Sequence, residues 1–472
     1  MALLEGLEAV EINLKTCKGI IDFRIDANTY KKDYILSDKL IKSKKPSDID
    51  VLSVSVQNFG AYSLCNFINF TESGIPFLMT ENVRHNYIDW NIHKFVDLQS
   101  HEMLYKSHCR RGQVLVTMAG EYLGRVAVYD KDEICSSNQA IAKVTVKQGV
   151  NPYIISTFLN SKHGQNQINR FKTITGQPNI NMALIKSLLI PEFSTDFASL
   201  IKSVVLKSEK SKLQTSQLYT QAENILLETL NLRDFQLSKE PVNVKNFTES
   251  FGSSGRLDAE YYQVKYEDYL EFIQSYSCGV EPLNEICEIK DKNFNPSEKI
   301  EYKYIELANI GKSGEIVGCT FDYGSELPTR ARRKVNTNDV IISSIEGSLE
   351  SCALVTKEYN NALCSTGFYV VKSEKLNPET LLIIFKSEPI QALLKKGCSG
   401  TILTAISKTE LERIPIPLID TETQNKIKEQ INKCFELRKQ SEHLLEVAKT
   451  AVELAIEKDE KTAMEYINNQ IS

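Results

Sequence analysis

Two stretches of the chain step apolar or small residues through polar ones at alternating intervals of four and three. The first covers residues 197–232 without Gly or Pro, with Phe197, Ile201, Val204, Ser208, Ser211, Thr215, Leu218, Ala222 and Ile225 in register. That spacing predicts a long helix with the narrow seam of a coiled coil, not the broad stripe of a globular helix. The second repeats it some 226 positions later, at Ile427, Ile431, Cys434, Ser441, Leu445, Ala448, Val452 and Ala455. An Ile-Pro pair precedes each, Ile190-Pro191 and Ile416-Pro417. Each helix spans roughly 45–50 Å at 1.5 Å per residue. A rod of that length needs a partner along its side, and the two are expected to pack on each other, antiparallel.

The remainder is written twice as well. Arg24-Ile25-Asp26-Ala27 with Tyr30 and Tyr34 returns as Arg256-Leu257-Asp258-Ala259 with Tyr262 and Tyr266. Gly112-Gln113-Val114-Leu115-Val116-Thr117 returns as Asn338-Asp339-Val340-Ile341-Ile342-Ser343, a turn residue followed by a β-branched strand. Small-residue loops follow, Ala119-Gly120 to Gly124 and Glu346-Gly347-Ser348, and then the short apolar runs Val126-Ala127-Val128 and Ala353-Leu354-Val355. Asn151-Pro152 and Asn377-Pro378 each open a helix, Pro standing early in it. Polar loops close the halves, at 175–181 and 399–404. A period this long describes two domains, not a solenoid. The predicted class is α+β: a first domain over 1–195, a long helix over 196–232, a polar linker over 233–254, a second domain over 255–420, a long helix over 421–460 and a tail over 461–472.

Composition adds limits. A chain of 472 residues suits two to four domains, with 42% apolar and 25% charged residues as in ordinary globular proteins. No apolar run approaches the roughly 20 residues of a membrane span, and the first residues carry Glu5, Glu8 and Glu11 rather than a signal peptide, so a cytoplasmic location is expected. Eleven cysteines without a C-x-x-C pair read as reduced thiols; the nearest approach to zinc spacing is His101, His108 and Cys109. The net charge of −5 does not favour nucleic acid at first sight. Residues 1–195 hold 22 Lys/Arg against 19 Asp/Glu (+3) and residues 245–420 hold 20 against 26 (−6), so any DNA-binding charge must lie in patches.

Catalytic motifs are missing. There is no phosphate loop G-x-x-x-x-G-K-[ST], no G-x-S-x-G elbow and no H-E-x-x-H. Asn151-Pro152-Tyr153 resembles the Asn-Pro-Pro-aromatic tetrad of amino-methyltransferases but lacks the second Pro and reads as a helix start. A Glu-x-Lys at Glu288-Ile289-Lys290 is the kind of tripeptide that chance supplies. Basic clusters say more: Arg330-Ala331-Arg332-Arg333-Lys334 precedes one strand, and Lys106 with Arg110-Arg111 precedes its counterpart. Such groups neutralise phosphates, against the alternative of a solvated run balanced by acids such as Glu326. Arg84, His85 and Tyr87 follow the Glu81-Asn82-Val83 turn, which corresponds to Ala308-Asn309-Ile310 and then Lys312. Arg and Lys read guanine edges and Asn and Gln read adenine, so Asn309, Lys312, Gln177, Asn179 and Thr401 join the candidates; turn chemistry is the competing explanation.

Two α+β halves, each closed by a polar loop, an Ile-Pro stop and a long helix, resemble the specificity subunit of type I restriction–modification enzymes. The match rests on the Arg-apolar-Asp-Ala pair, the strand-and-glycine loops at 112–124 and 338–347, the run from Gly400 to Ile416-Pro417, and the last helix with Leu444-Leu445-Glu446-Val447-Ala448. The resemblance implies a non-catalytic chain with two target-recognition domains, each reading half of a split asymmetric duplex DNA site. It implies paired helices that act as a ruler, two adenine methyltransferase subunits that carry S-adenosylmethionine, and restriction subunits that use ATP and magnesium, none of these bound by the chain itself. The recognition stretches 58–90 and 290–318 share almost no residues, so no base contact transfers, and Glu350 stands where Gly124 does. Competing readings are a specificity-like subunit of another phage-defence methylation system and a coiled-coil scaffold without DNA, which a pI near 5.9 permits.

Overall fold

The computed structural model describes residues 10–20, 23–60, 62–173, 176–233, 235–240, 242–400 and 404–471. The chain divides into two compact units, Met1–Ser211 with Lys439–Ser472, and Lys212–Arg438. Each is built on an antiparallel four-stranded sheet of the same order. In the first, Ser53–Gln57, Ile141–Val146, Val114–Thr117 and Val126–Val128 lie side by side; in the second, Cys287–Ile289, Phe368–Ser373, Val340–Ser343 and Cys352–Leu354 do. The register repeats too: Val114 pairs with Val128 and Leu115 with Ala127, as Val340 pairs with Leu354 and Ile341 with Ala353. Gly112 and Asn338 turn the chain into these strands with φ of 85° and 72°, a region that favours Gly and tolerates Asn.

A helix pair backs each sheet, Pro152–Asn160 with Lys162–Phe171 and Pro378–Lys386 with Glu388–Lys396. The Asn before each Pro is the N-cap, Asn151 accepting from the Tyr153 amide and Asn377 from that of Thr380. The Arg-apolar-Asp-Ala motif braces the far end of the pair. Arg24 ion-pairs with Asp26 at 2.8 Å and donates to the carbonyls of Phe171 and Lys172, the free acceptors at a helix C-terminus. Arg256 pairs with Asp258 at 2.6 Å and reaches the Lys396 and Cys398 carbonyls. Tyr30 and Tyr262 each donate a hydroxyl to the backbone carbonyl of their own Arg, at 2.6 and 3.0 Å. The motif is a structural clasp built twice.

The long helices are Thr195–Thr229 and Thr421–Glu457. Ser194 and Asp420, 226 positions apart, accept from the Phe197 and Thr423 amides and so cap their starts, a signal absent from the periodicity. In the first unit, Phe197, Ile201 and Val204 share a core with Leu444, Val447, Ala448, Ala451 and Val452. In the second, Ala222 and Leu226 share one with Ile427, Ile431 and Cys434. The start of each helix therefore meets the end of the other, and the pair is antiparallel. Ser208, Ser211 and Thr215 are buried, and Ser208 meets Ser441 hydroxyl to hydroxyl at 2.8 Å. Small residues here permit close approach while satisfying each other's polar atoms.

Two stretches differ from expectation. The predicted tail forms the helix Glu460–Ile471, whose Ala463 and Ile467 are buried in the first unit's core. Twelve residues, with Ala463, Ile467 and Ile471 at intervals of four, gave too short a pattern to separate from a frayed end. The polar linker is fastened down: Phe235 packs tilted against Phe272 and Tyr269 with ring centroids 4.6 and 5.6 Å away, and Lys245 pairs with Glu267 at 2.8 Å.

One half-buried acid makes stability depend on pH. Burial, with Asp130 nearby, raises the Glu209 pKa to about 8. A carboxyl whose folded pKa exceeds its unfolded value contributes stability below the unfolded pKa near 4.5 and loses it as pH rises through 8. Glu209→Gln is therefore expected to raise stability by about 2 kcal/mol at pH 9 and to change little at pH 4, read by urea titration at both values. An equal effect at the two pH values would remove Glu209 as the cause.

Candidate nucleic-acid interface

In the first unit the chain reverses between Val83 and Ile88, which bridge each other, and presents Arg84, His85 and Tyr87 at the tip. Asn86 makes the turn possible with φ of 64°, and its amide donates to the Val126 carbonyl at 2.8 Å. Its side-chain oxygen accepts from Ser156 and Asn160 at 2.8 and 3.0 Å, and Asn160 also meets His85 Nδ1 at 2.8 Å. Fully bonded buried amides of this kind hold a loop in one conformation. The tip is thus rigidly mounted on the helix Pro152–Asn160.

Beside it lies the glycine loop. Gly120 donates its amide to the Pro178 carbonyl at 3.0 Å and Ala119 bridges Asn179, which joins the loop to the polar segment carrying Gln177. Gln177 Nε2 lies 3.1 Å from where a Cβ on Gly120 would stand, a close approach, and Gly120 has φ of 80°, in the region that favours glycine. Tyr122, on the same loop, has the Arg125 guanidinium 4.4 Å from its ring centroid and that of Arg84 at 6.0 Å. Arg84 also pairs with Asp89 at 3.7 Å, while Arg125 Nη1 is buried without a hydrogen-bond partner. Two guanidiniums around one aromatic ring offer planar forks for phosphate or for a guanine edge.

The structure brings Arg84, His85, Gln177 and Asn179 into this one region. Lys106, Arg110 and Arg111 lie before the other end of strand Val114–Thr117 and are exposed. Arg111 pairs with Asp132 at 2.6 Å, and Lys106 stands over the Tyr105 ring at 5.7 Å. His101 and His108 stack at 3.8 Å and are engaged with Ser136 and with the His101 carbonyl.

The second unit repeats the frame with different contents. Ile310 bridges Ile316, and Leu354 donates to the Gly314 carbonyl as the first tip is tied to strand Val126–Val128. The Glu306 amide donates to Asn309 Oδ1 at 2.8 Å, as the Met79 amide does to Asn82 Oδ1 at 2.9 Å, so turn formation occupies half of the Asn309 side chain. Lys312 is exposed at the tip. Glu315 turns inward and pairs with Arg438 at 2.5 Å; burial raises its pKa against that pairing. The segment after the loop matches as well, Glu346 donating to the Thr404 carbonyl and Ile345 bridging Ala405. Lys290, of the Glu-x-Lys tripeptide, pairs with buried Asp339 at 2.6 Å.

The basic cluster is itself a strand, Ala331–Lys334, at the edge of a sheet with Leu363–Ser365, Glu301–Ile305 and Thr320–Tyr323. Pairing slips between Ala331 and Arg333. Arg332 donates to the Thr329 carbonyl and to Asn295, both at 3.1 Å, and Lys334 stands 5.5 Å from the Phe294 ring centroid. Arg330 is exposed, and Arg333 Nη1 is buried without a hydrogen-bond partner. Among the described residues none of these four cations forms an ion pair, Glu326 included; the carboxylate acting on Arg333 is that of Asp291, which Lys408 and, more weakly, Arg333 hold below its ordinary pKa.

Residues 279–447 match the family model described as the type I restriction modification DNA specificity domain. The match lies wholly within the second half of the chain. No curated protein sequence matches the chain. Among solved structures, the type I restriction–modification S subunit from M. genitalium is 14% identical over 88% of this chain and 95% of that one, with a TM-score of 0.45. The HsdS subunit from Thermoanaerobacter tengcongensis is 12% identical over 88% and 96%, with a TM-score of 0.29.

The matched residues include Asn309, Lys312 and the whole basic strand; Thr401 also falls among them but lies outside the described residues. In the first half, sequence reasoning missed Arg125, which follows Gly124 and has Ser351 at the matching position of the second half. A lone Arg before a strand carries no signal. Only the fold places it against Tyr122 and Arg84.

Proposed function

We propose that the chain is a sequence-specific DNA-binding subunit whose two halves each read one part of a split, asymmetric duplex site and position two adenine methyltransferase subunits there. The observation that carries this reading is one frame built twice with different tips, Arg84-His85-Asn86-Tyr87 in one and Gly311-Lys312-Ser313-Gly314-Glu315 in the other. Two different half-sites require a constant scaffold and divergent reading surfaces. Lys106, Arg110, Arg111, Arg330, Arg332, Arg333 and Lys334 contact backbone phosphates and set the register. Arg84, Arg125, His85, Tyr87, Gln177 and Asn179 face bases of one half-site, and Asn309, Lys312 and Thr401 those of the other.

The long helices fix the distance between half-sites. The methyltransferase subunits bring S-adenosylmethionine and flip one adenine in each half-site. Restriction subunits, with ATP and magnesium, complete the assembly. The chain performs no chemistry of its own. Arg84→Ala with Arg125→Ala is expected to weaken binding to a cognate duplex about 10- to 100-fold, as loss of bidentate base contacts does, while binding to random duplex falls far less. Equal losses on both duplexes, measured by fluorescence anisotropy with the methyltransferase present, would move this pair from base reading to backbone contact.

A further inference from the structure

The two tips sit on the same frame but are held by different means. In the first half Ser156 and Asn160, on helix Pro152–Asn160, donate to the side-chain oxygen of Asn86. The same positions of helix Pro378–Lys386, 226 residues on, carry Leu382 and Lys386. Leu382 has no hydrogen-bonding group, and Lys386 donates to the Glu350 carbonyl at 2.9 Å instead. Counted back from the bridged Ile88 and Ile316, Gly314 stands where Asn86 does, with φ of 79° against 64°. A Cβ on Gly314 would lie 2.6 Å from the Leu382 side chain, so this tip rests on an apolar surface. The backbone tie to Leu354 remains, but the side-chain grip of the first half is gone.

The long helix supplies another grip. Arg438, on helix Thr421–Glu457, pairs its Nη1 with Glu315 at 2.5 Å, and its Nη2 donates to the Ser313 hydroxyl at 3.4 Å. One guanidinium thus engages the tip on either side of Gly314. Glu315 also closes the tip, its carbonyl accepting from the Gly311 amide at 2.8 Å. Its carboxylate folds against Gly311, where a Cβ would come within 1.9 Å of Oε1. The Glu315 side chain is 8% exposed and that of Arg438 25%, so the pair is largely out of water. A planar fork fixes direction as well as distance, and breaking a buried pair costs far more than breaking an exposed one. Lys312 stands exposed between the two clamped ends.

We propose that Arg438 is a positioning residue for sequence recognition: through Glu315 and Ser313 it sets the second half's reading tip, and so the half-site that tip selects. The inference rests on the DNA-reading function proposed above. Arg438 meets no base itself; it fixes where Lys312 and its neighbours meet the groove, as a supporting shell fixes a binding site. The first tip has its own anchor in Ser156 and Asn160. Loss of Arg438 therefore changes one half-site and spares the other.

The test is methylome sequencing of hosts that express the methyltransferase subunit with the wild-type chain or one variant of it. With Arg438→Gln, methylated sites carrying a single base change in one half are expected to rise about tenfold, the discrimination that one base contact supplies. The half affected is the one that Arg84→Ala with Arg125→Ala leaves sharp, and the other half reports that the chain is folded. Because Arg438→Gln strands a buried acid, Glu315→Gln supplies a second variant of unchanged shape that leaves only the partly exposed Arg438 unpaired. It should relax the same half. Arg438→Lys keeps a positive charge opposite Glu315 and should restore most of the preference. Sharp motifs in both Gln variants, or equal loss of both halves in both, overturn the proposal; the second result is that of a contact needed only for folding. A wild type that directs no split motif removes the reading of the function itself, and this inference with it.

Discussion

Replacing Arg330, Arg332 and Lys334 together by Ala is expected to reduce affinity for duplex DNA by about 10²–10³-fold near 0.1 M salt. The three lie on the exposed edge strand Ala331–Lys334 and the residue before it, with no ion pair among the described residues to offset them. Each cation that reaches a phosphate releases condensed counterions, so the slope of log affinity against log salt should fall by about three. Sequence preference should be unchanged, since phosphate contacts position without reading. The strand should also survive, because Ala331, not its neighbours, is fully buried and the exposed side chains are not part of the core. Arg333 is left in place because its Nη1 is buried, so its loss would mix packing with charge. An unchanged salt slope would take the strand off the DNA.

Lengthening both long helices by one turn is expected to abolish methylation at the native site and create it at a site with a longer spacer. The insertion belongs in both, after Ser211 and before Lys439, because the helices run antiparallel and their seams must stay in register. Four residues add about 6 Å of helix, on the order of two base pairs at 3.4 Å each. Both half-site sequences should be retained, since neither tip loop is touched. A single insertion in one helix would misalign Ser208 and Ser441, whose 2.8 Å contact needs two small residues opposite each other, and is expected to lower stability instead. Unaltered spacing after a paired insertion that leaves the protein folded would end the ruler interpretation.

The parts of the fold legible in the sequence are those governed by local rules. Seam positions such as Ile201, Val204, Ile427 and Ile431 announce their burial by spacing, and Asn151-Pro152 and Asn377-Pro378 announce helix starts by cap chemistry. The correspondence of Asn82 with Asn309 was legible because both turns need the same side-chain oxygen. What was hidden depends on distant chain segments meeting. Arg24 gives no sign that it will clasp Phe171 and Lys172, nor Arg125 that it will stack on Tyr122 beside Arg84. The basic cluster at 330–334 looked like a surface run preceding a strand; its own strand character is hidden because an edge strand one turn long has no periodicity to read. Lys143 was invisible for a similar reason: in Ile141-Ala142-Lys143-Val144 a lysine reads as the exposed face, and only the fold buries it, with the Ser137 hydroxyl as its hydrogen-bond partner.

The central claim is that one chain directs adenine methylation to two unlike half-sites. It is tested most directly by sequencing the methylome of a host that expresses this chain with its methyltransferase subunit. The account predicts a single split motif, two different short sequences at fixed separation, with one methylated adenine in each half on opposite strands. Methylation at a continuous motif, or the same methylation without this chain, would contradict it.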